Sequence, residues 1–385
     1  MKRRFEITIF FTLLCLVLML TGCAAPMAKS QGGPDPSEER RLTPEERAER
    51  MMARMTIGEK LGQLMMVGVH GTSFNDDMRF MLSEYDVGGI ILFDRNLENA
   101  DEIRKLTGDL QENRTGSLPL LIAVDEEGGA VARMRDIVEP PPSQEEIGAS
   151  GDPALARRWA RYTAQKLKAL GFNVNFAPVA DLGTPRGRSY ADDAETVTAF
   201  LREAAEGYAE EHFLCTLKHF PGLGKGAEDP HFERVVVNAD KETLLAEDVA
   251  PFRAMIGEGN DDRFMVMASH LIYTAYDPER PASLSPVLMT ELLRDELGYR
   301  GIVVTDDLEM GAAREACGFD EMGVRAIEAG ADILLVCHEY EHEAAVYNGV
   351  LKAIRSGRIP EARIDASVRR VLRAKLALEA QGRRG

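Results

Sequence analysis

Residues 215–224 read Cys215-Thr216-Leu217-Lys218-His219-Phe220-Pro221-Gly222-Leu223-Gly224. A largely apolar run meets a Pro/Gly turn that stops it, so 215–220 reads as the end of a buried strand, with Lys218 and His219 at its C-terminal edge. Seven other short apolar runs bounded by Gly, Pro or Asp have the same form: 64–69, 89–93, 120–124, 174–179, 264–270, 301–305 and 332–337. Most intervening segments carry helical composition and spacing, as in 154–170, 196–213, 287–297 and 322–329. Alternating strand and helix units predict parallel pairing, and eight of them predict an α/β fold closed as one (β/α)8 TIM barrel over residues 46–385.

In such a barrel the chemistry gathers at the C-terminal ends of the strands. Asp125, Lys218, His219, His270, Asp306 and His338 all fall at predicted strand ends. His338 reads as a hydrogen-bonded rim side chain and His270 as a pocket-wall residue, since neither sits in a further motif. Beyond Gly224 come Asp229-Pro230-His231, a carboxylate two residues from an imidazole. That spacing lets the carboxylate hold one ring nitrogen and leave the other free, so the pair is a candidate acid/base dyad.

The N-terminus bears on location. Lys2, Arg3 and Arg4 precede an apolar run that ends in Leu20-Thr21-Gly22-Cys23-Ala24. This reads as a secretory signal over 1–22, and the Leu-Thr-Gly-Cys ending resembles a bacterial lipobox in which Cys23 is lipidated. Residues 23–45 read as the lipidated cysteine and a flexible tether, poor in apolar side chains. The expectation is an extracytoplasmic, membrane-anchored lipoprotein.

The chain's formal net charge is −17. Residues 1–22 carry a net +2, so removing them leaves −19. Strong acidity argues against nucleic acid as a partner. Cys215, Cys317 and Cys337 remain beyond the signal, and two of them fall in predicted strands, which favours buried free thiols. The histidines are dispersed and Asp125-Glu126-Glu127 runs into glycines, so no metal-ligand spacing is present. Gly222-Leu223-Gly224-Lys225 lacks the remaining positions of a phosphate loop. No cofactor is expected.

Lys-His-Phe-Pro-Gly-x-Gly followed by Asp-x-His resembles the signature of the bacterial β-N-acetylhexosaminidases of glycoside hydrolase family 3. The resemblance extends to Gly62-Gln63-Leu64, Gly88-Gly89-Ile90-Ile91-Leu92-Phe93 and Val124-Asp125-Glu126-Glu127-Gly128-Gly129. Ala177-Pro178-Val179-Ala180-Asp181, Arg188-Ser189-Tyr190 and Thr305-Asp306-Asp307-Leu308-Glu309-Met310 continue it in the family's order, over roughly residues 50–375. It implies a nucleophile at Asp306, the first Asp of its pair, and sugar-holding roles for Asp125, Arg133, Arg188, Lys218 and His219. Asp307 is the rival nucleophile, since strand alternation alone does not choose between them; it also fits as the N-cap of a helix beginning near Leu308.

With Asp306 attacking and His231 donating, steadied by Asp229, the reaction passes through a covalent glycosyl-enzyme and retains configuration. The implied activity is exo-β-N-acetylhexosaminidase action on terminal N-acetylglucosamine of cell-wall or chitin-derived oligosaccharides, by a monomer. Another branch of the family takes a glutamate acid from an additional domain; a chain stopping at Gly385 is expected to rely on the Asp229–His231 dyad. Phosphorolysis is an alternative, because a histidine donor would not repel phosphate. A non-catalytic glycan-binding lipoprotein is another, although it would need a lost catalytic group. Three positions depart from the family pattern: Leu223 where a histidine is common, Pro230 where a serine is usual, and Ala130 where an arginine is usual. They bear on loop stiffness and leaving-group preference more than on the proposed catalytic groups.

Overall fold

The computed structural model describes residues 42–224, 235–259 and 261–382. Eight parallel strands form its centre: β1 (Met65–Gly68), β2 (Gly89–Ile91), β3 (Leu121–Val124), β4 (Val174–Asn175), β5 (Leu214–Phe220), β6 (Phe264–Ala268), β7 (Val303–Thr305) and β8 (Leu334–Val336). Their spatial order is β7-β6-β5-β4-β3-β2-β1-β8, with every pairing parallel. A parallel bridge between Val304 and Ile333 joins the two ends of the sheet, which closes the expected barrel. All eight strands are buried along their whole length, because helices cover the outside and side chains fill the inside.

The covering helices follow local signals. Pro153–Ala169 starts where the Asp152 side chain accepts the Ala154 N–H and a proline occupies the first turn. It ends before Gly171, whose φ of 88° suits glycine and whose missing side chain leaves room for Thr107. Its long face packs on Ala194–Glu210, which is capped by Asp193 in the same way. Ahead of β1, a helix begins at Pro44 and lies against the last helix, Glu361–Gly382.

Two elements differ from the expected pattern. The run 174–179 is regular strand only at Val174–Asn175; Phe176 and Ala177 still bond to β3 and β5, Pro178 has no N–H to donate, and an isolated bridge joins Val179 to Lys218 beyond it. The segment 287–297 is a π-helix over Val287–Glu296. It carries the buried Arg294 to the start of β8, where Arg294 Nη2 meets Asp332 Oδ2 at 2.6 Å. The same Asp332 oxygen accepts the Val303 N–H at 3.0 Å, so one fully buried carboxylate ties β7 to β8 where the barrel closes. Cys215, Cys317 and Cys337 are free thiols, the first and last of them buried.

Candidate active site

Register decides which side chains reach the barrel mouth. β5 pairs Lys218 with Met267 and Phe220 with Ala268, so Lys218 to Phe220 on β5 span a single step on β6. This is a β-bulge at His219. Strict alternation would send Lys218 and His219 to opposite faces; the bulge lets both reach the strand-end cluster. The turn that follows needs its glycines. Gly222 has φ 129°, and a side chain on Gly224 would meet the Leu182 carbonyl at 2.3 Å.

Lys218 is the centre of the cluster. Its Nζ lies 2.7 Å from Asp125 Oδ1 at the end of β3 and 2.7 Å from Glu127 Oε1 in the short hairpin beyond it. Arg188 then grips Glu127 with two prongs, Nε to Oε2 at 2.8 Å and Nη2 to Oε1 at 2.7 Å. Burial opposes ionisation of Glu127, but Lys218 and Arg188 outweigh it and hold the carboxyl well below the usual carboxylate range. Burial likewise opposes the charge on Lys218, and Asp125 and Glu127 outweigh that, so the ammonium persists well into alkaline pH. Three of the five sequence-predicted sugar ligands, Asp125, Arg188 and Lys218, therefore form one charged network through Glu127.

His219 joins from the other side of the bulge. Its Nδ1 lies 2.8 Å from Asp181 Oδ2, while its backbone N–H and that of Leu223 both reach Asp181 Oδ1, at 3.0 and 2.9 Å. Asp181 thus steadies both the imidazole and the first residues of the turn, and Nε2 has no hydrogen-bond partner among the described residues. Arg133, the fifth predicted ligand, stands apart from this network: its Nη1 pairs with Asp94 at 2.8 Å, and its guanidinium lies over the Phe93 ring. It lines the neighbouring rim at the end of β2.

Asp306 directly follows β7. Its N–H is held by the Ala268 carbonyl at 2.9 Å, and its Oδ1 accepts the Asp307 N–H at 2.9 Å. Among the described residues Oδ2 has no hydrogen-bond partner, so one oxygen is fixed and the other is free to react. Burial raises the cost of its charge, yet the imidazoles of His219 and His270, the Asp307 amide and Lys218 outweigh that cost and keep its carboxyl below the ordinary carboxylate range. Asp307 Oδ1 instead accepts the Glu309 N–H at 3.1 Å, and Oδ2 pairs with His338 Nε2 at 3.1 Å. With both oxygens engaged, Asp307 is the poorer nucleophile. Nor does it cap a helix: the next one is Gly311–Arg314, with Met310 at its N-cap.

His338 sits on the rim as expected, half exposed, and its bond to Asp307 raises its pKa. His270 is not a pocket wall. It is 1% exposed, with both ring nitrogens engaged inside the protein. Asp229, His231 and Cys23 lie outside the described residues. Glu127 and Asp181 were assigned no role from sequence, although both stand in quoted motifs; their partners lie too far along the chain for spacing to reveal. A cavity of about 330 Å³ lined by Glu206, His212, Leu214, Asp262 and Arg263 lies at the starts of β5 and β6, the opposite end from this chemistry.

A closed parallel barrel with charged side chains converging at its strand ends defines the class, and comparison with known proteins agrees. Residues 56–374 match the model of the glycosyl hydrolase family 3 N terminal domain. The chain belongs to glycoside hydrolase family 3 and is a glycoside hydrolase of the β-hexosaminidase kind. A β-hexosaminidase of Stenotrophomonas maltophilia is 36% identical over 285 residues, 71% of this chain and 83% of that protein. Another, from Alkalilimnicola ehrlichii, is 39% identical over 298 residues, 74% and 83% of the two chains. Among solved structures, a family 3 β-N-acetylglucosaminidase from Paenibacillus superposes with a TM-score of 0.81 at 42% identity. The match covers 85% of this chain and 63% of that longer one. A β-N-acetylhexosaminidase from Beutenbergia cavernae gives 0.76 at 30% identity, covering 84% of this chain and 99% of the other.

The network ranks its two carboxylates. Glu127 is 3% exposed and serves two cations, whereas Asp125 is 16% exposed and serves one. Glu127→Gln is expected to cost about 3–5 kcal/mol of stability, and Asp125→Asn clearly less. Urea unfolding of the two variants checks the order, and equal or reversed losses would refute it.

Proposed function

We propose that this protein is a retaining exo-β-N-acetylhexosaminidase that removes terminal β-linked N-acetylglucosamine from cell-wall or chitin-derived oligosaccharides. The observation that carries the proposal is Asp306: a carboxylate kept ionised at a strand end, with one oxygen held by the Asp307 amide and the charged network of Lys218, Asp125, Glu127 and Arg188 at the same barrel mouth. The relatives named β-hexosaminidase and β-N-acetylglucosaminidase support the choice of sugar.

In this reading Asp125, Arg133, Arg188, Lys218 and His219 hold the hydroxyls and amide of the terminal sugar. The free oxygen of Asp306 attacks the anomeric carbon, a C–O bond to the enzyme forms, and the glycosidic C–O bond breaks. The leaving oxygen takes the proton of His231, whose imidazolium is steadied by Asp229. Water then attacks the same carbon, gives its proton to His231 and releases Asp306. Two inversions retain the β configuration. A histidine donor suits neutral pH because imidazole titrates there, whereas a carboxylic acid would need its pKa raised.

The assay uses aryl β-N-acetylglucosaminide and aryl β-glucoside, with and without phosphate. Turnover of the N-acetylated substrate is expected to fall about 10²–10⁴-fold in His231→Ala and about 10³-fold or more in Asp306→Asn. The acid limb of kcat/KM reports the ionisation of Asp306. Because its pKa is lowered, activity should hold down to a pH below the usual aspartate value of about 3.9 and be lost only beneath it. Sugar phosphate as product would replace hydrolysis with phosphorolysis, and a folded wild type inert on both substrates would leave a glycan-binding lipoprotein.

Location is part of the proposal. Lipidation at Cys23 and removal of 1–22 would tether the barrel outside the cytoplasm, where such oligosaccharides occur. Among the described residues no helix is long and apolar enough to cross a membrane. Cys23→Ala should abolish incorporation of labelled fatty acid into the protein; continued labelling of that variant would exclude lipidation at Cys23.

A further inference from the structure

We propose that His270 is a positioning residue for the nucleophile, acting through the backbone of Asp307. The inference rests on Asp306 being the nucleophile. His270 follows β6, two residues beyond Ala268, whose carbonyl holds the Asp306 N–H. Its Nε2 lies 2.8 Å from the Asp307 carbonyl oxygen, and its Nδ1 lies 2.7 Å from Ser283 Oγ. A carbonyl oxygen only accepts, so Nε2 carries the hydrogen; in the neutral ring Nδ1 then accepts the Ser283 hydroxyl hydrogen.

The slot around the ring is built rigidly. His270 is 1% exposed and Ser283 is 0% exposed. Ser283 is held by its N–H to the Ser269 carbonyl at 2.9 Å, and its neighbour Ala282 by its N–H to Leu271 at 2.8 Å. The segment that carries His270 therefore also fixes the hydroxyl that orients it.

Residue 307 is held at four further points: Oδ1 by the Glu309 amide, Oδ2 by His338, its carbonyl by the Met310 N–H at 3.0 Å, and its own N–H by Asp306 Oδ1. The last contact holds the reacting carboxylate. Without His270 the Asp307 carbonyl keeps only the Met310 N–H, at 3.0 Å, and loses the buried partner that fixes its direction from β6; the residue then shifts within its remaining contacts and moves its amide relative to Asp306. Sugar-holding side chains are untouched by that movement. The consequence is a defect in reaction geometry with little change in substrate affinity.

The experiment measures kcat, KM and thermal stability for His270→Ala, His270→Gln, Ser283→Ala and Asp306→Asn, on the enzyme lacking residues 1–23 and an aryl β-N-acetylglucosaminide. His270→Ala is expected to lower kcat about 100-fold per folded molecule, with KM changed by less than about threefold. His270→Gln, whose amide nitrogen reaches the place of Nε2, should recover most of it, and Ser283→Ala should fall between. A purely structural tie would lower stability while leaving kcat of the folded fraction intact, and that result overturns the proposal. So does a glutamine variant no better than alanine. If Asp306→Asn turns over normally, the nucleophile assignment itself fails and this role falls with it; if Asp306→Asn is inert while His270→Ala is normal, only the role of His270 falls.

Discussion

The site depends on one buried positive charge. Lys218 is 3% exposed, and an ammonium removed from water is stable only if carboxylates meet it at hydrogen-bond distance. Asp125 from the end of β3 and Glu127 from the hairpin beyond it do so, and Glu127 in turn binds Arg188 from the β4–β5 connection. Two separate stretches of chain, the end of β3 with its hairpin and the β4–β5 connection, are thereby fixed relative to β5. The bulge at His219 makes this compatible with a second function on the same strand, because it brings His219 to Asp181 without displacing Lys218. Under the proposed function, this network is rigid before any substrate arrives, which lowers the ordering cost of binding.

Environment divides the acids along the rim into distinct states. Glu126 and Glu127 are adjacent in sequence and both buried, yet burial, only partly offset by the Met134 and Arg133 amides and by Arg135 and Arg133, pushes Glu126 up to about 7, whereas Lys218 and Arg188 keep Glu127 ionised. Asp306 and Asp307 divide in another way: one presents a free oxygen, the other has both oxygens engaged. A nucleophile needs the first arrangement and a supporting residue the second.

The fold was legible because eight apolar runs, each stopped by Gly, Pro or Asp, report strands covered on both faces, and all eight formed. Strand-end chemistry was legible for the same reason, since Asp125, Lys218, His219 and Asp306 are the polar residues that end those runs. The rest depended on contacts between distant positions. Arg188 reaches Glu127 across 61 positions, and His270 reaches the Asp307 carbonyl across 37; no local spacing encodes either. A one-residue bulge is likewise invisible when the run around it is buried on both faces, as Leu214–Phe220 is, because no alternation marks the register. Pro178, inside the run read as one strand over 174–179, was the available signal for the break in β4, and the carboxylate of Asp181 stood in a quoted motif without an evident partner.

The central claim is that Asp306 forms a covalent bond to the sugar. Its most direct test is to trap the intermediate with a fluorinated N-acetylglucosaminyl substrate that reacts faster than the adduct hydrolyses, digest the protein, and locate the added mass by fragmentation. The account predicts one sugar on Asp306 and none in Asp306→Asn. A sugar on Asp307, or turnover with retained configuration and no adduct, would contradict it.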